Sequence, residues 1–191
     1  MAYSSRFETA LAFAARLHAD QVRKGSGIPY ISHLLAVAAI SIEFGANEDE
    51  AIAALLHDAV EDQGGVPTEE MIRRLFGPVV AAIVRGCTDA DTIPKPPWRA
   101  RKEAYIAHLK GASPSVRLVS AADKLHNART ILSDYQRMGE SVWELFKGGR
   151  EGTLWYYRTL ANEFRQLGPL PLARELDLVV TELERAAGTK G

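Results

Sequence analysis

The stretch AALLHDAVED, Ala53 to Asp62, places four ionisable groups in a segment that is otherwise entirely apolar. The four groups belong to His57, Asp58, Glu61 and Asp62. Negative charge in the last turn of a helix opposes the helix dipole, so these residues are costly to a helix. Locally unfavourable residues are expected where a protein has a functional site. The stretch therefore predicts a helix that carries a site.

The apolar residues around the stretch recur with the helical period and predict a helix with one buried face. Asn47 and Glu50 have the spacing of a capping box, so we expect this helix to run from there to about Asp62. On one continuous helix, His57 and Glu61 lie one turn apart on the same side. The apolar stripe beside them consists of Ile52, Leu55, Leu56, Ala59 and Val60.

Helical periodicity continues along the rest of the chain, and the alternation typical of strands is scarce. We expect an all-α fold with one domain of about ten helices over residues 1–191, a C-terminal helix pair to about residue 187 and a frayed tail. Gly25 and Gly27 are expected to end the first helix, and Thr68 to cap a later one. The proline-rich stretch 89–102 is interpreted as a surface loop that leads into a helix near Trp98.

Composition excludes several classes of function. The 191 residues are 47% apolar and 25% charged, as in ordinary globular proteins, and the net charge of −1 gives no overall attraction to nucleic acid or membranes. No apolar run approaches the roughly 18 residues that a membrane span needs, and the N-terminus does not have the pattern of a signal peptide. The single cysteine, Cys87, permits no internal disulfide, so we expect a cytoplasmic protein in which this thiol is structural rather than nucleophilic. The oligomeric state is left open.

Two further polar residues lie at the apolar margins of predicted helices. His33 precedes a strongly apolar run in YISHLLAVAAI, and Asp123 lies on the apolar face of VRLVSAADKLHNARTIL. A carboxylate on such a face is costly unless it is paired or binds a metal. With His57 and Asp58 these residues form a nitrogen and oxygen donor set that suits manganese, iron or zinc. Four protein ligands leave positions open on a six-coordinate ion, as in catalytic metal sites.

Each of these residues also has a purely structural interpretation. His33 and Asp123, taken singly, would be satisfied polar groups of the core. Glu61 and Asp62 would be the solvated last turn of a helix. The combination on three separate predicted helices favours the metal site over the structural interpretation.

The order of these motifs resembles the hydrolase domain of the Rel/Spo stringent-response family, within the HD superfamily of metal-dependent phosphohydrolases. The resemblance covers about residues 7–160 and is carried by HADQVRKGSGIPYISHLLAVAAI, AIAALLHDAVED, FGPVVAAIVRGCTDADTIPK and SAADKLHNARTIL. It implies an HD helical bundle in which Glu61 and Asp62 act in the hydrolytic step. The metal, usually manganese (Mn2+), would be held by His33, His57, Asp58 and Asp123.

The resemblance also implies which residues contact a nucleotide. Arg23 and Lys24 would contact guanine and phosphates, Asn127 the ribose and base, and Tyr157 the base pocket. A solvated helix end is the competing interpretation for the Arg23–Lys24 pair. Lys124 and Arg129 can add a cationic wall, with a solvated helix face as the alternative. A second basic group is interpreted as a plain basic loop, with a second wall over the phosphates as the alternative: Lys95, Arg99, Arg101 and Lys102.

The implied activity is hydrolysis of the 3′-pyrophosphate of guanosine tetra- or pentaphosphate, the alarmones ppGpp and pppGpp, to GDP or GTP and pyrophosphate. With no room for synthetase or regulatory domains, the chain is expected to be a stand-alone small alarmone hydrolase. There are three alternatives: an NADPH 2′-phosphatase, a different HD phosphohydrolase such as a nucleotidase, and a non-enzymatic nucleotide-sensing module. Two features depart from the family pattern: Gln63, where family members commonly have Thr, and the proline-rich segment KPPWRARKEAY. These departures concern how the distal phosphates of the substrate fit.

Overall fold

The computed structural model describes residues 3–89, 94, 96–168 and 170–188. These residues form ten α-helices and one 3₁₀ helix, and β-type pairing among them is limited to a bridge between Val22 and Pro29. The all-α fold of about ten helices is therefore confirmed. The α-helices are α1 (Ser5–Leu17), α2 (Ile31–Glu43), α3 (Glu48–Leu56), α4 (Ala59–Asp62), α5 (Val66–Phe76), α6 (Pro78–Cys87), α7 (Trp98–Gly111), α8 (Pro114–Met138), α9 (Gly149–Leu167) and α10 (Leu170–Ala186), with the 3₁₀ helix at Gly139–Leu145.

Helix α3 lies at the centre of the molecule. Every residue from Ala51 to Leu56 is buried, as expected of a helix that is apolar on all sides. α3 contacts α1, α2, α6 and α8, and the capping box of Asn47 and Glu50 at its start is confirmed. The residues that follow α3 are consequently held inside the bundle, next to α2 and α8.

The predicted single helix from residue 47 to about residue 62 is wrong at His57 and Asp58. α3 ends at Leu56 and α4 begins at Ala59, with Asp58 at φ −96° and ψ −3° in the sparsely populated bridge region. Glu61 therefore does not share a continuous helix with His57. Consecutive side chains of a regular α-helix point about 100° apart, whereas this break brings His57 Nε2 to 3.0 Å from Asp58 Oδ2.

Two other predicted boundaries need correction. α1 ends at Leu17, so Gly25 and Gly27 do not terminate it but lie in the loop that follows. Thr68 is not the cap of α5, because Gly65, with φ +62°, is the N-cap residue. Thr68 lies inside the helix, and its hydroxyl donates to the carbonyl oxygen of Gln63.

The helix expected from Trp98 is confirmed as α7. The predicted loop before it falls partly outside the described residues, and so does the predicted frayed tail AAGTKG, of which residues 189–191 lie outside them. Among the helices of the described ranges, none combines the length and apolarity that a membrane span requires.

Candidate functional site

Four predicted metal ligands from α2, the α3–α4 turn and α8 converge on one point. His33 Nε2 lies 3.5 Å from Asp58 Oδ2 and 3.3 Å from Asp123 Oδ1. His57 Nε2 lies 3.0 Å and 3.7 Å from the same two oxygens. The potential ligand atoms of His33, His57 and Asp58 all lie within 4.8 Å of one another. We call these four residues the HD cluster.

The hydrogen bonding of His57 tests whether the HD cluster fits a cation. His57 Nδ1 lies 2.8 Å from the carbonyl oxygen of Ala54, which can only accept, so Nδ1 is the protonated nitrogen. Nε2 is buried and has no hydrogen-bond partner among the described residues. In the neutral ring its lone pair faces two carboxylates, an unfavourable arrangement unless a positive charge lies between them. Two imidazoles and two carboxylates are a suitable donor set for a divalent metal.

The electrostatics of the cluster favour positive charge at its centre. Burial disfavours a charged His57, but the carboxylates of Asp58 and Asp123 outweigh burial and hold the pKa of His57 well above its usual value. Burial likewise disfavours ionised Asp58 and Asp123. His57 nevertheless holds the pKa of Asp58 well below its usual value, and Lys124 does the same for Asp123. A divalent cation supplies the same neutralisation.

Three neighbouring side chains hold the two carboxylates in place. The Tyr30 hydroxyl donates to Asp58 Oδ2 at 2.6 Å. Asn127 Nδ2 donates to Asp123 Oδ1 at 2.5 Å, and Lys124 Nζ donates to Asp123 Oδ2 at 2.6 Å. Burial and the Asp58 charge raise the pKa of Tyr30, so its hydroxyl remains a donor. Partners of this kind fix the orientation of ligand side chains.

His126 also belongs to these surroundings, although the sequence analysis did not identify it. Its Nδ1 lies 2.8 Å from Nδ1 of His33. Burial, together with His33 and Arg23, lowers the pKa of His126 to about 4. The available signal was its position three residues after Asp123, one turn along the same helix face.

Glu61 and Asp62, predicted to be catalytic, lie on α4, which directly follows Asp58. Glu61 Oε2 accepts the Asp89 backbone N–H at 3.2 Å, and Glu61 Oε1 lies 3.9 Å from Arg101 Nη1. Asp62 Oδ2 accepts a hydrogen bond from Gln21 Nε2 at 2.8 Å. The two carboxylates are thus held by different neighbours, on different sides of the short helix.

Two pockets are lined by residues that donate hydrogen bonds to the cluster, Tyr30, Lys124 and Asn127, although none of the four cluster residues lines either pocket. The Tyr30 pocket, of about 380 Å³, is lined by Arg23, Ser26, Tyr30, Asp62 and Thr130, among others. The Trp98 pocket, of about 360 Å³, is lined by Glu61, Trp98, Arg101, Lys102, Lys124 and Lys147, among others. Both pockets share Lys24, Asn127, Leu145, Phe146 and Tyr157.

The loop after α1 presents Arg23 to the Tyr30 pocket. The Arg23 backbone N–H donates to the Ile28 carbonyl at 2.8 Å, which closes the loop, and Arg23 Nη2 donates to Asn127 Oδ1 at 2.9 Å. Gly25, at φ +76°, packs on Leu145: a Cβ there would lie 2.6 Å from Leu145 Cδ1. Glycine adopts this φ without strain and leaves room for the Leu145 side chain. Arg23, Lys24, Asn127, Lys124 and Tyr157 all lie where a ligand of these pockets could reach them.

The structure does not bring every predicted cation to the site. Arg129 pairs with Glu175 at 2.6 Å and is absent from the lining of both pockets. It follows Asp123 by six residues, which turns it about 240° around α8. The substrate-binding role predicted for Arg129 is therefore not supported by its position.

Only part of the second predicted basic group, Lys95, Arg99, Arg101 and Lys102, lines a pocket. Arg101 and Lys102 lie on α7 rather than in a loop, line the Trp98 pocket, and pair with Asp89 at 2.6 Å and 2.7 Å. Arg99 instead covers the Trp155 ring, with 3.2 Å from its guanidinium carbon to the ring centroid. Lys95 lies outside the described residues.

Residues 145–147 were missed by the sequence analysis. Leu145 is the last residue of the 3₁₀ helix and residues 146 and 147 follow it; Leu145 and Phe146 line both pockets. Lys147 lines the Trp98 pocket and has no ion-pair partner among the residues that the structure describes. This short segment has no helical periodicity, so only the tertiary fold reveals its position.

Comparisons with known proteins give one consistent family. The HD domain family matches residues 10–154. A relative from Danio rerio named guanosine-3′,5′-bis(diphosphate) 3′-pyrophosphohydrolase MESH1 is 40% identical over 122 residues, which are 62% of this chain and 65% of that protein. A Streptomyces coelicolor protein named GTP pyrophosphokinase is 40% identical over 129 residues, which are 66% of this chain and 15% of that protein.

A solved structure shares the complete fold. It is described as a metazoan ortholog of SpoT that hydrolyzes ppGpp and plays a role in starvation responses, and it covers 100% of this chain and 99% of its own chain with a TM-score of 0.78 at 28% identity. The present chain spans slightly less than two thirds of the length of the Danio rerio relative. The predicted resemblance to HD and Rel/Spo proteins is confirmed by these matches.

Proposed function

Because the chain belongs to the HD domain family, we propose that it hydrolyses the 3′-pyrophosphate of guanosine tetra- or pentaphosphate in a reaction that depends on a divalent metal, with manganese as the proposed ion. The observation that carries the proposal is the HD cluster beside two joined pockets, one of which is rich in cations. Relatives and a structural neighbour named for this activity support the choice of substrate.

The cluster is linked to both pockets through residues that touch its carboxylates. Tyr30 donates to Asp58 and lines the Tyr30 pocket, and Lys124 donates to Asp123 and lines the Trp98 pocket. Asn127 donates to Asp123 and lines both pockets. A ligand that fills both pockets would therefore extend alongside the HD cluster, as hydrolysis there requires.

The proposed metal ligands are His33, His57, Asp58 and Asp123. A divalent ion bound there supplies positive charge to phosphate oxygens and makes water more acidic. In the reaction, a water oxygen forms a bond to the phosphorus attached to the ribose 3′-oxygen, and the bond from that phosphorus to the 3′-oxygen breaks. One proton of the water is transferred to the 3′-oxygen, the other stays on the pyrophosphate or dissociates from it to solvent, and the products are GDP or GTP and pyrophosphate.

Glu61 and Asp62 are proposed to handle the protons of this reaction. Both residues lie on α4, which directly follows Asp58, and each lines one of the two pockets. Glu61 is held by the Asp89 N–H and lies near Arg101, an arrangement that orients it to accept a proton from water. Asp62 is tied to Gln21 and faces the Tyr30 pocket, where it can hold the water or the ribose 3′-oxygen.

The division of charge between the pockets suggests how the nucleotide lies. Arg23, Asn127 and Tyr157 in the Tyr30 pocket offer a planar cation, an amide and an aromatic ring, which suit a purine nucleoside. The Trp98 pocket offers more cations and suits phosphates. Its lining includes Lys24, Arg101, Lys102, Lys124 and Lys147.

The deciding experiment is an assay of the purified protein with manganese against guanosine tetraphosphate, guanosine pentaphosphate, NADPH and nucleoside monophosphates, with product identification. We expect GDP or GTP with pyrophosphate, and no turnover in His57→Ala. Release of orthophosphate from NADPH alone, or from monophosphates alone, would assign the site to a different HD phosphohydrolase. Nucleotide binding without metal or turnover would indicate a sensing module.

A further inference from the structure

We propose that His126 is a positioning residue for the metal site: it accepts a hydrogen bond from Nδ1 of His33 and thereby keeps Nε2 of His33 available to a metal ion. This inference rests on the metal site of the proposed function, and it adds a residue that acts through His33 rather than on the substrate. The observation behind it is the distance of 2.8 Å between the two Nδ1 atoms.

The two histidines of the cluster are held in different ways. His57 donates its Nδ1–H to the carbonyl of Ala54, three residues earlier, so its own helix fixes which nitrogen carries the proton. His33 lies in the first turn of α2, and the carbonyl three residues earlier, that of Tyr30, accepts the backbone N–H of His33 at 2.9 Å. The partner of the His33 ring comes instead from α8, as His126.

Metal binding through His33 Nε2 sets the direction of the bond between the two rings. Between two Nδ1 atoms at 2.8 Å, one nitrogen must donate and the other accept. His33 Nε2 faces Asp58 Oδ2 and Asp123 Oδ1, the same two oxygens that face His57 Nε2. A ring that offers the Nε2 lone pair to a metal carries its proton on Nδ1. His33 is thus the donor, and neutral His126 accepts on Nδ1 and carries its own proton on Nε2.

Helix α8 therefore contributes to the cluster twice, one turn apart. Asp123 supplies an oxygen, and His126 holds the ring of a ligand that comes from α2. The His33 ring is also packed on three sides, by Tyr30 at 5.4 Å, His57 at 5.1 Å and His126 at 4.9 Å between ring centroids. Packing fixes the plane of the ring, and the hydrogen bond to His126 favours the tautomer of His33 that carries its proton on Nδ1.

The test compares His126→Leu, His126→Asn and the control His108→Leu in the full chain by calorimetric titration with manganese alone. Asn retains an acceptor oxygen close to the position of Nδ1, whereas Leu has none. Loss of such a partner typically weakens metal affinity about 10- to 100-fold, so we expect this loss for Leu and a change within about threefold for Asn. His108 is exposed on α7 and bonds the Gly86 carbonyl, so its replacement should leave metal affinity unchanged.

A second readout needs no variant. In the ¹⁵N-histidine NMR spectrum of the wild-type protein loaded with zinc as a diamagnetic probe, His33 should carry its proton on Nδ1 and His126 on Nε2. The inference would be overturned if His126→Leu bound manganese with wild-type affinity, or if the Asn and Leu variants lost the same amount of affinity. A His33 proton on Nε2, or a wild-type protein that binds no metal, would also overturn it. If the metal-binding results are as expected but guanosine tetraphosphate is not hydrolysed, the proposed function is overturned and the inference on His126 stands.

Discussion

Glu61 and Asp62 are adjacent in the sequence but line different pockets, Glu61 the Trp98 pocket and Asp62 the Tyr30 pocket. Their partners differ as well, since Glu61 accepts the Asp89 N–H and Asp62 accepts a hydrogen bond from Gln21. This separation arises because α4 is a single short turn of helix, so that consecutive side chains leave it in different directions. The two carboxylates should therefore be separable by mutation.

Glu61→Gln should lower kcat about 100-fold or more while the protein retains its metal, because the amide cannot take a proton from water. Elemental analysis of the purified variant should give the wild-type metal content, and the steady-state rate should show the loss in kcat. Glu103→Gln is the matched control. Glu103 is exposed on α7 and pairs with Arg99, so this variant should behave like wild type. An empty metal site in Glu61→Gln would mean that Glu61 is a ligand.

Asp58→Ala and His57→Ala should each remove the metal and abolish turnover. Two of the four donor groups belong to these adjacent residues, and each variant leaves an incomplete donor set in a buried cluster. Thermal unfolding with and without added manganese provides the measurement: wild type should gain stability with the metal, and the variants should not. A variant with a wild-type response to manganese would place the ion elsewhere.

Lys147→Ala should raise KM for guanosine tetraphosphate about threefold to tenfold with little change in kcat, because Lys147 faces the Trp98 pocket without an ion-pair partner in the described part of the chain. Lys147→Arg should restore most of the binding. Lys110→Ala, at an exposed lysine paired with Glu163, is the control for a general loss of charge. Equal KM values in Lys147→Ala and wild type would show that Lys147 does not bind the phosphates.

The fold and the HD cluster could be predicted from sequence because they depend on local periodicity and on polar residues at apolar helix margins. His33, His57 and Asp123 each interrupt an apolar helical pattern, and burial of those patterns brings them together. The break at Asp58 could not be predicted, since capping and periodicity both favoured a continuous helix. Contacts from irregular segments, such as Phe146 and Lys147, depend on how the 3₁₀ helix packs, and no local pattern encodes that packing.

Cys87 should react slowly with thiol reagents in the native protein. Burial raises the pKa of its thiol to about 11 from a usual value of 9.0, and Ser120 Oγ lies 3.6 Å from the sulfur. At pH 8 the thiolate fraction then falls about 100-fold relative to an unperturbed cysteine. Absorbance assays with a disulfide reagent should show slow native reaction and rapid reaction in urea, and Cys87→Ser should retain hydrolysis. Rapid native labelling or an inactive, folded Cys87→Ser would contradict a structural thiol.

Arg23 should determine recognition of the base, because the four ionisable groups of the HDAVED stretch can act on the pyrophosphate but cannot select a nucleotide. Its guanidinium donates to Asn127 at 2.9 Å and lies 5.9 Å from the Tyr30 ring centroid, so it is held as a flat surface in the Tyr30 pocket. A lysine keeps the charge but loses the planar stacking surface and the fixed geometry of the bond to Asn127.

Arg23→Lys should therefore raise KM for guanosine tetraphosphate about tenfold, which corresponds to about 1.4 kcal/mol, and should change kcat much less. Metal content should equal that of wild type, since Arg23 is not among the ligand atoms of the HD cluster. Steady-state kinetics and elemental analysis measure the two quantities on the same sample. An unchanged KM would show that the guanine is bound by other residues, and loss of metal would show that Arg23 supports the cluster through Asn127 and Asp123 rather than binding the base.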